Sequence, residues 1–371
     1  QKRGACLVNR PLSWTTQWTG GHWTVCVSFV GAPRHSSSMN EVVEKLDRLL
    51  DCAVSDGRAY MDPGLVARDL CDIALVRVRD AADALFSVLF DAENGIFAFF
   101  EACMKDVHLD KDPQLISTRK TLVQFVCALL EASPTSTLFD FCKLLRRELL
   151  QVYTRDSSNY VKLVALEALH KLFELVGREI SADILEPQPL FRLLCREFVR
   201  FKTSQGVKGR ILRLLGVVLE CFDDQFEVED ATKLKKLIMS TLEDQRNKAQ
   251  EEALVVSGCL MGMSHVLSTA EELPGSSVLA KLFQFARMSL RVSDLKKYDI
   301  PKAALLLLGR QATQFHQFLT HHADDMFTTF SDLCCHKNND LRKVAFPALR
   351  AFVMTVSKEI LGDSRAETEN R

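Results

Sequence analysis

The chain has 371 residues, 47% of them hydrophobic and 26% charged, with only 16 Gly and 10 Pro. That apolar share can offset ordering entropy, which excludes a disordered chain, and so few turn residues exclude an all-β fold with a turn every ten residues. The net charge of −1 provides no global basic footprint for nucleic acid, so any such binding must come from a local stripe.

Residues 1–38 differ from the rest. They hold all three tryptophans (Trp14, Trp18 and Trp23) and four cations (Lys2, Arg3, Arg10 and Arg34), but no Asp or Glu. The remainder carries 43 basic and 48 acidic residues, a net charge of −5. Met39 opens a helical pattern, Met39-Asn40-Glu41-Val42-Val43-Glu44-Lys45-Leu46. The expectation is that 1–38 is a non-native or disordered leader, with Met39 as the start of the folded chain.

From residue 39 onward apolar residues recur at three- and four-residue steps, as the buried faces of amphipathic helices require. Breakers cut the run into helix-length pieces: Pro63-Gly64, Asp110 to Pro113, Ser133-Pro134, Pro187 to Pro189, Pro274-Gly275 and Asn338-Asn339. Within these pieces one helix is repeated. Val161 to Leu172 reads VKLVALEALHKL, and Leu341 to Phe352 reads LRKVAFPALRAF, with matching cation, alanine and leucine or phenylalanine slots. Val207 to Val218 and Ile300 to Gln311 fit the same slots, and weaker copies begin near Thr118 and Ala249. The starts at 118, 161, 207, 249, 300 and 341 lie 41 to 51 residues apart, close to the period of HEAT or armadillo helix pairs. The predicted fold is all-α: an α-solenoid of six to seven antiparallel helix pairs over 39–361, followed by a charged tail at 362–371 that reads as a truncated end.

The twelve cysteines form no CxxC. Cys127, Cys195, Cys221 and Cys259 sit inside apolar helical patterns, where a free thiol behaves as a small hydrophobe, so a reducing compartment is the better reading. His316 with His321 and His322, and Cys334-Cys335-His336, are the nearest approaches to a metal set. Adjacent cysteines do not easily place both sulfurs on one tetrahedral ion, so no metal is expected. The sequence lacks a phosphate-binding glycine loop, a kinase catalytic loop, a nucleophile elbow and a zinc-protease helix. The acidic pairs Asp223-Asp224, Glu251-Glu252 and Asp324-Asp325 read as solvated or helix-start features. No catalytic residue, cofactor or membrane partner is expected in this segment.

What remains is a surface. The second helix of each pair opens with a cation: Arg119, Lys120, Lys162, Lys208, Arg210, Lys302, Arg342 and Lys343. Stacked repeats could align these as a track for a phosphate backbone. They could equally pair with acids of the neighbouring repeat, each pair worth little. Further basic groups, Lys143-Arg146-Arg147, Lys233-Lys235-Lys236 and Arg287-Arg291-Lys296-Lys297, have the spacing of solvated helix faces.

Several stretches are more specific than a generic repeat: Val152-Tyr153-Thr154-Arg155-Asp156, Gly258-Cys259-Leu260-Met261-Gly262-Met263-Ser264, Asp294 to Pro301, Ala312-Thr313-Gln314-Phe315, and the Leu341 to Phe352 helix. In this order and spacing, from about residue 90 to the end, the chain resembles the amino-terminal HEAT arm of the DNA-dependent protein kinase catalytic subunit family. That family belongs to the phosphatidylinositol-3-kinase-like kinases. The resemblance implies a nuclear scaffold segment that cradles double-stranded DNA ends with the Ku heterodimer in non-homologous end joining, alongside the remainder of its own kinase solenoid. ATP and magnesium would belong to the kinase domain, outside this segment. The other open reading is a HEAT-repeat protein-interaction scaffold with no DNA role.

Overall fold

A computed structural model describes residues 13–19, 22–28, 90, 96–105, 107–200, 202–247, 252–269, 275–291 and 298–369. The helical pattern opening at Met39 and the breaker Pro63-Gly64 lie outside the described residues. The chain divides into two compact units, 1–180 and 181–371.

Among the described residues, the first unit contains the one departure from helical structure. Strands β1 (Ser13–Thr19) and β2 (His22–Ser28) pair antiparallel, with Trp18 opposite Trp23 and Trp14 opposite Val27. Part of the expected leader is therefore a β-ribbon. Its alternation of Thr and Trp with other residues is the composition a strand favours, and the two intervening residues of sequence are Gly20-Gly21.

Helices α1 (Ile96–Lys105), α2 (Val107–Lys111), α3 (Pro113–Ala132), α4 (Thr135–Arg155) and α5 (Asn159–Val176) follow among the described residues of this unit. Their starts follow the breakers. Pro113 opens α3, where its missing N–H would be unpaired anyway, and the Asp112 carboxylate accepts from the Leu115 N–H at 3.2 Å. The face of α4 that turns inward carries Leu138, Cys142, Leu145, Leu149 and Val152, at the three- and four-residue steps of an amphipathic helix. Helix α5 packs against both α3 and α4, so α3 and α5 are the stacked second helices and α4 the first helix between them.

The second unit repeats the scheme. It comprises α6 (Ala182–Leu185), α7 (Pro187–Val199), α8 (Gln205–Cys221), α9 (Val228–Arg246), α10 (Ala253–Thr269), α11 (Ser276–Ser289), α12 (Asp299–Arg310), α13 (His316–His321), α14 (Ala323–Cys334) and α15 (Asn339–Glu369). Helices α8, α10, α12 and α15 pack in succession, and α7, α9, α11 and α14 each pack against the second helix that follows. These are antiparallel helix pairs of the HEAT kind, and the described residues are all-α apart from the ribbon. All six repeat starts read from the sequence fall just before a second helix or within its opening turns. Residues 362–369, within the expected charged tail, continue α15 as helix.

The tightest packing joins α8 to α10. A Cβ on Gly258 would collide with the Gly209 carbonyl, and one on Gly216 would lie 2.8 Å from the Gly262 Cα. Glycine at these positions lets the two backbones touch, which no larger residue permits. With α8, α9 and α12 all against it, α10 is buried on nearly every side, from Val255 to Leu260 and from Gly262 to Leu267. Among the described residues no helix is long and apolar enough to cross a membrane.

Candidate nucleic-acid interface

The eight cations that open the second helices fall into three groups. Arg119 is the first and does not face solvent at all. It is fully buried in α3, and its Nε donates to the Asp156 carboxylate at 2.7 Å. Its Nη2 donates to the Asp110 carbonyl at 2.8 Å and reaches the Asp110 carboxylate at 3.2 Å. Burying this charge is tolerable only because two carboxylates and backbone carbonyls surround it. Asp156 in turn accepts from the Ser158 N–H at 2.8 Å, where α4 hands over to α5. Arg119 is thus a brace between α3, the α2 end and the α4–α5 turn, and, contrary to the expectation from its repeat position, it does not face DNA.

The second group ties up local backbone. Arg342 donates from Nη1 to the His336 and Lys337 carbonyls at 2.7 and 3.1 Å, and from Nη2 to the Asn339 side chain at 3.2 Å. It organises the start of α15, where Asn338 also accepts from the Leu341 N–H at 3.0 Å as a side-chain cap. Lys343 is exposed and lies 3.8 Å from Asp340 in the same turn, a contact worth little in water.

The third group is open. Lys120 on α3, Lys162 on α5 and Lys302 on α12 are half-buried and have no hydrogen-bond or ion-pair partner among the described residues. A half-buried lysine can cover its aliphatic stem and still keep its ammonium in water. Lys208 on α8 stands 5.4 Å over the Phe198 ring, a cation–π contact. It lines a cleft of about 410 Å³ with Gln205, Thr241, Asp244 and Asn247. Arg210, on the same helix, is half-buried and engaged in an interaction of its own, so it is the exception in this group.

Inter-repeat ion pairs do occur, but mainly on other residues. Lys281 of α11 meets Glu243 of α9 at 3.0 Å, and Arg287 of α11 meets Asp325 of α14 at 2.8 Å. In the first unit Lys171 of α5 pairs with Glu131 of α3. The basic groups expected to be solvated are mixed: Lys233 pairs with Glu229 at 3.4 Å on the surface, whereas Arg146 is buried.

Within the second unit the series of second-helix cations has a gap. Helix α10, ALVVSGCLMGMSHVLST, contains no Lys, Arg, Asp or Glu. Packed on three sides, it leaves Ser268 as its one exposed residue, with Ala253, Leu254, Met261 and Thr269 half-buried.

Sequence reasoning missed a polar network that crosses three repeats of this unit. Glu220 of α8, His265 of α10 and Arg310 of α12 meet through their side chains. His265 Nδ1 contacts the Glu220 carboxylate, and Arg310 reaches His265 Nδ1 at 3.1 Å and Glu220 at 3.2 Å. Successive members are 45 residues apart, one repeat length. That spacing was the available signal: polar residues of complementary charge recurring at the repeat period inside apolar helices.

Of the two sequence clusters with metal-like composition, one keeps the His321 and His322 rings edge to face with centroids 4.9 Å apart. Cys334 is buried and its neighbour Cys335 exposed. His322 stacks on Phe283 with ring centroids 5.7 Å apart, and partial burial followed by the Arg287 charge holds its imidazole below the ordinary histidine range.

The stretches singled out for their resemblance have packing roles here. Asp156 is the buried acceptor of Arg119, and Gly258 and Gly262 are the contact points of α10 with α8. Gln314 donates to the Leu267 carbonyl at 2.8 Å, closing the end of α10. Residues 292–297, part of the Asp294 to Pro301 stretch, lie outside the described residues. The sequence profile of the family described as DNA-PKcs, N-terminal, matches residues 83–370. The chain belongs to this family. Its members include curated relatives named DNA-dependent protein kinase catalytic subunit. That of Xenopus laevis is 26% identical over 292 residues, which cover 76% of this chain and 7% of the relative. That of Canis lupus familiaris is 30% identical over 221 residues, covering 57% and 5%. That of Gallus gallus is 28% identical over 333 residues, covering 87% and 8%. The chain therefore spans less than a tenth of the length of these DNA-PKcs relatives, and corresponds to an N-terminal segment of them.

Proposed function

We propose that this chain is a non-catalytic scaffold segment of a DNA-dependent serine/threonine protein kinase catalytic subunit. It would work in the nucleus, cradling double-stranded DNA ends together with Ku during non-homologous end joining. The observation that carries this reading is the family match over residues 83–370, which spans nearly all of the helical repeats. The supporting cations are Lys120 and Lys162 on the surface of the first unit and Lys208 and Lys302 on that of the second. These are second-helix cations whose charge is not neutralised by an acid among the described residues. Such a surface contacts phosphates without reading bases, so binding is weak, indifferent to sequence and steeply salt-dependent. The test is binding of the chain to a blunt duplex at about 50 and 200 mM salt, the range over which phosphate contacts lose most of their affinity, with and without Ku. A variant carrying Lys162→Glu, Lys208→Glu and Lys302→Glu serves as the control. Salt-sensitive binding that the triple variant loses supports the proposal; equal binding by both proteins, or none by either, refutes the DNA contact.

A second reading is a protein-interaction scaffold without a DNA role. It is favoured by two observations: Arg119 is consumed by buried carboxylates, and α10 interrupts the cation series. Under this reading Ku, or an acidic partner, binds while the duplex alone does not.

A further inference from the structure

Away from the second-helix starts, the end of α12 and the middle of α15 enclose a cleft of about 490 Å³, within the range of ligand-binding clefts. Three basic side chains line it: Arg310 from the last turn of α12, His316 from the start of α13, and Lys358 from α15. They come from separate helices, so the fold, not a local charge run, brings them together.

Arg310 is the positioned member. Its guanidinium is held from behind by Glu220 and His265, whose side chains are almost entirely buried, while 39% of the Arg310 side chain stays accessible. A guanidinium has five N–H donors, and the contacts to Glu220 and His265 occupy only its Nη groups. The fork is therefore pre-organised with donors remaining, the arrangement suited to a tetrahedral or planar oxyanion. Lys358 is exposed and has no partner among the described residues. The exposed Thr313 adds a hydroxyl at the rim. Ala351 and Met354 form an apolar wall.

We propose that this cleft binds the phosphoryl group of a phosphorylated peptide segment. Glu220 already offsets the charge of Arg310, so a single carboxylate would gain little. A phosphate monoester carries a charge of about −1.5 to −2 and three acceptor oxygens, enough to engage Arg310 and Lys358 together. Duplex DNA is the less suitable occupant. It presents a charge about every 3.4 Å along each strand and calls for a row of cations. Here the cations converge on one cleft, beside an apolar wall that matches the aliphatic part of a peptide.

The probes are a short glycine-rich peptide with one phosphoserine, the same peptide unphosphorylated, inorganic phosphate, and a short blunt duplex. Each is titrated calorimetrically into the full chain. The expected result is binding of the phosphopeptide but not its unphosphorylated form, weakened about tenfold by Lys358→Glu and unchanged by Lys162→Glu. Inorganic phosphate competes and the duplex does not. Lys358 is exposed, so its substitution should leave the melting temperature unchanged, which keeps the readout separate from folding; Arg310→Gln would strand Glu220 and is unsuitable alone. The proposal is overturned if phosphorylation makes no difference, if Lys358→Glu binds as well as the parent, or if the duplex displaces the phosphopeptide.

Discussion

Helices α12 and α15 carry the same repeated pattern and fare differently. In α12 and the turn after it, Leu305, Leu308 and Ala312 are all buried, with α10 on one side and α15 on the other. The corresponding positions of α15 are Phe346, Leu349 and Val353. Phe346 is 58% exposed, Val353 is 41% exposed and Leu349 is half-buried. Among the described residues, α15 packs against α12, α13 and α14, all of which leave that face open. The pattern therefore sets which face of a second helix is sticky, and neighbours decide whether the stickiness becomes stability. An identical leucine or phenylalanine slot can be core in one repeat and surface in the next.

The comparison breaks most violently where neighbours are closest. Gly258→Leu drives a side chain directly into the Gly209 backbone. The expected outcome is loss of the cooperative thermal transition, followed by circular dichroism. A transition like that of the parent would mean that α8 and α10 can separate cheaply. Next comes the covered cation. Arg119→Leu leaves Asp156 buried without its partner and should cost about 3–5 kcal/mol, measured by urea unfolding; a cost below about 1 kcal/mol would show that water reaches the site.

The covered and open slots can then be set directly against each other. Leu305→Ala should cost about 2–5 kcal/mol, because a fully enclosed side chain leaves a cavity, whereas Phe346→Ala should stay within about 0.5–1 kcal/mol. Similar costs at both sites would mean that something covers α15 in solution. The smallest effect is chemical. Cys103 is buried beside Arg119, and burial outweighs that charge to push its thiol up to about 11; burial alone raises Cys259 further. Both stay protonated in mildly alkaline buffer and gain no stability from ionising, while Cys335 is exposed. A maleimide should label Cys335 in the folded chain and reach Cys103 and Cys259 only after unfolding. Rapid labelling of Cys259 would contradict the enclosure of α10.

Much of this arrangement is legible in the residues. The repeat starts fall on the second helices because the apolar spacing of a helix buried on one face is the same whatever covers it. Capping residues such as Asp112 and Asn338 mark the helix ends through local chemistry. The cations are legible as positions but not as environments. Arg119 and Lys120 are adjacent in sequence and about 100° apart around the helix, and only the packing of Asp110 and Asp156 shows that one is buried and the other is not. The Glu220, His265 and Arg310 network needs residues from three repeats to be counted together. Composition hides the ribbon at 13–28, because an acid-poor, Trp-bearing stretch looks foreign to a helical array, and only the alternation within it marks a strand.

The backbone contact between α8 and α10 has a mechanical consequence. Arrays of helix pairs usually yield one repeat at a time, because each pair is held only by its nearest neighbours. Two helices in contact along their main chains, further tied through Glu220 and His265, share one boundary too close to open by a fraction. Pulled from either end, the flanking pairs should peel away singly, and α8 through α10 should come apart in a single step, with a longer gain in contour length than any other event in the second unit.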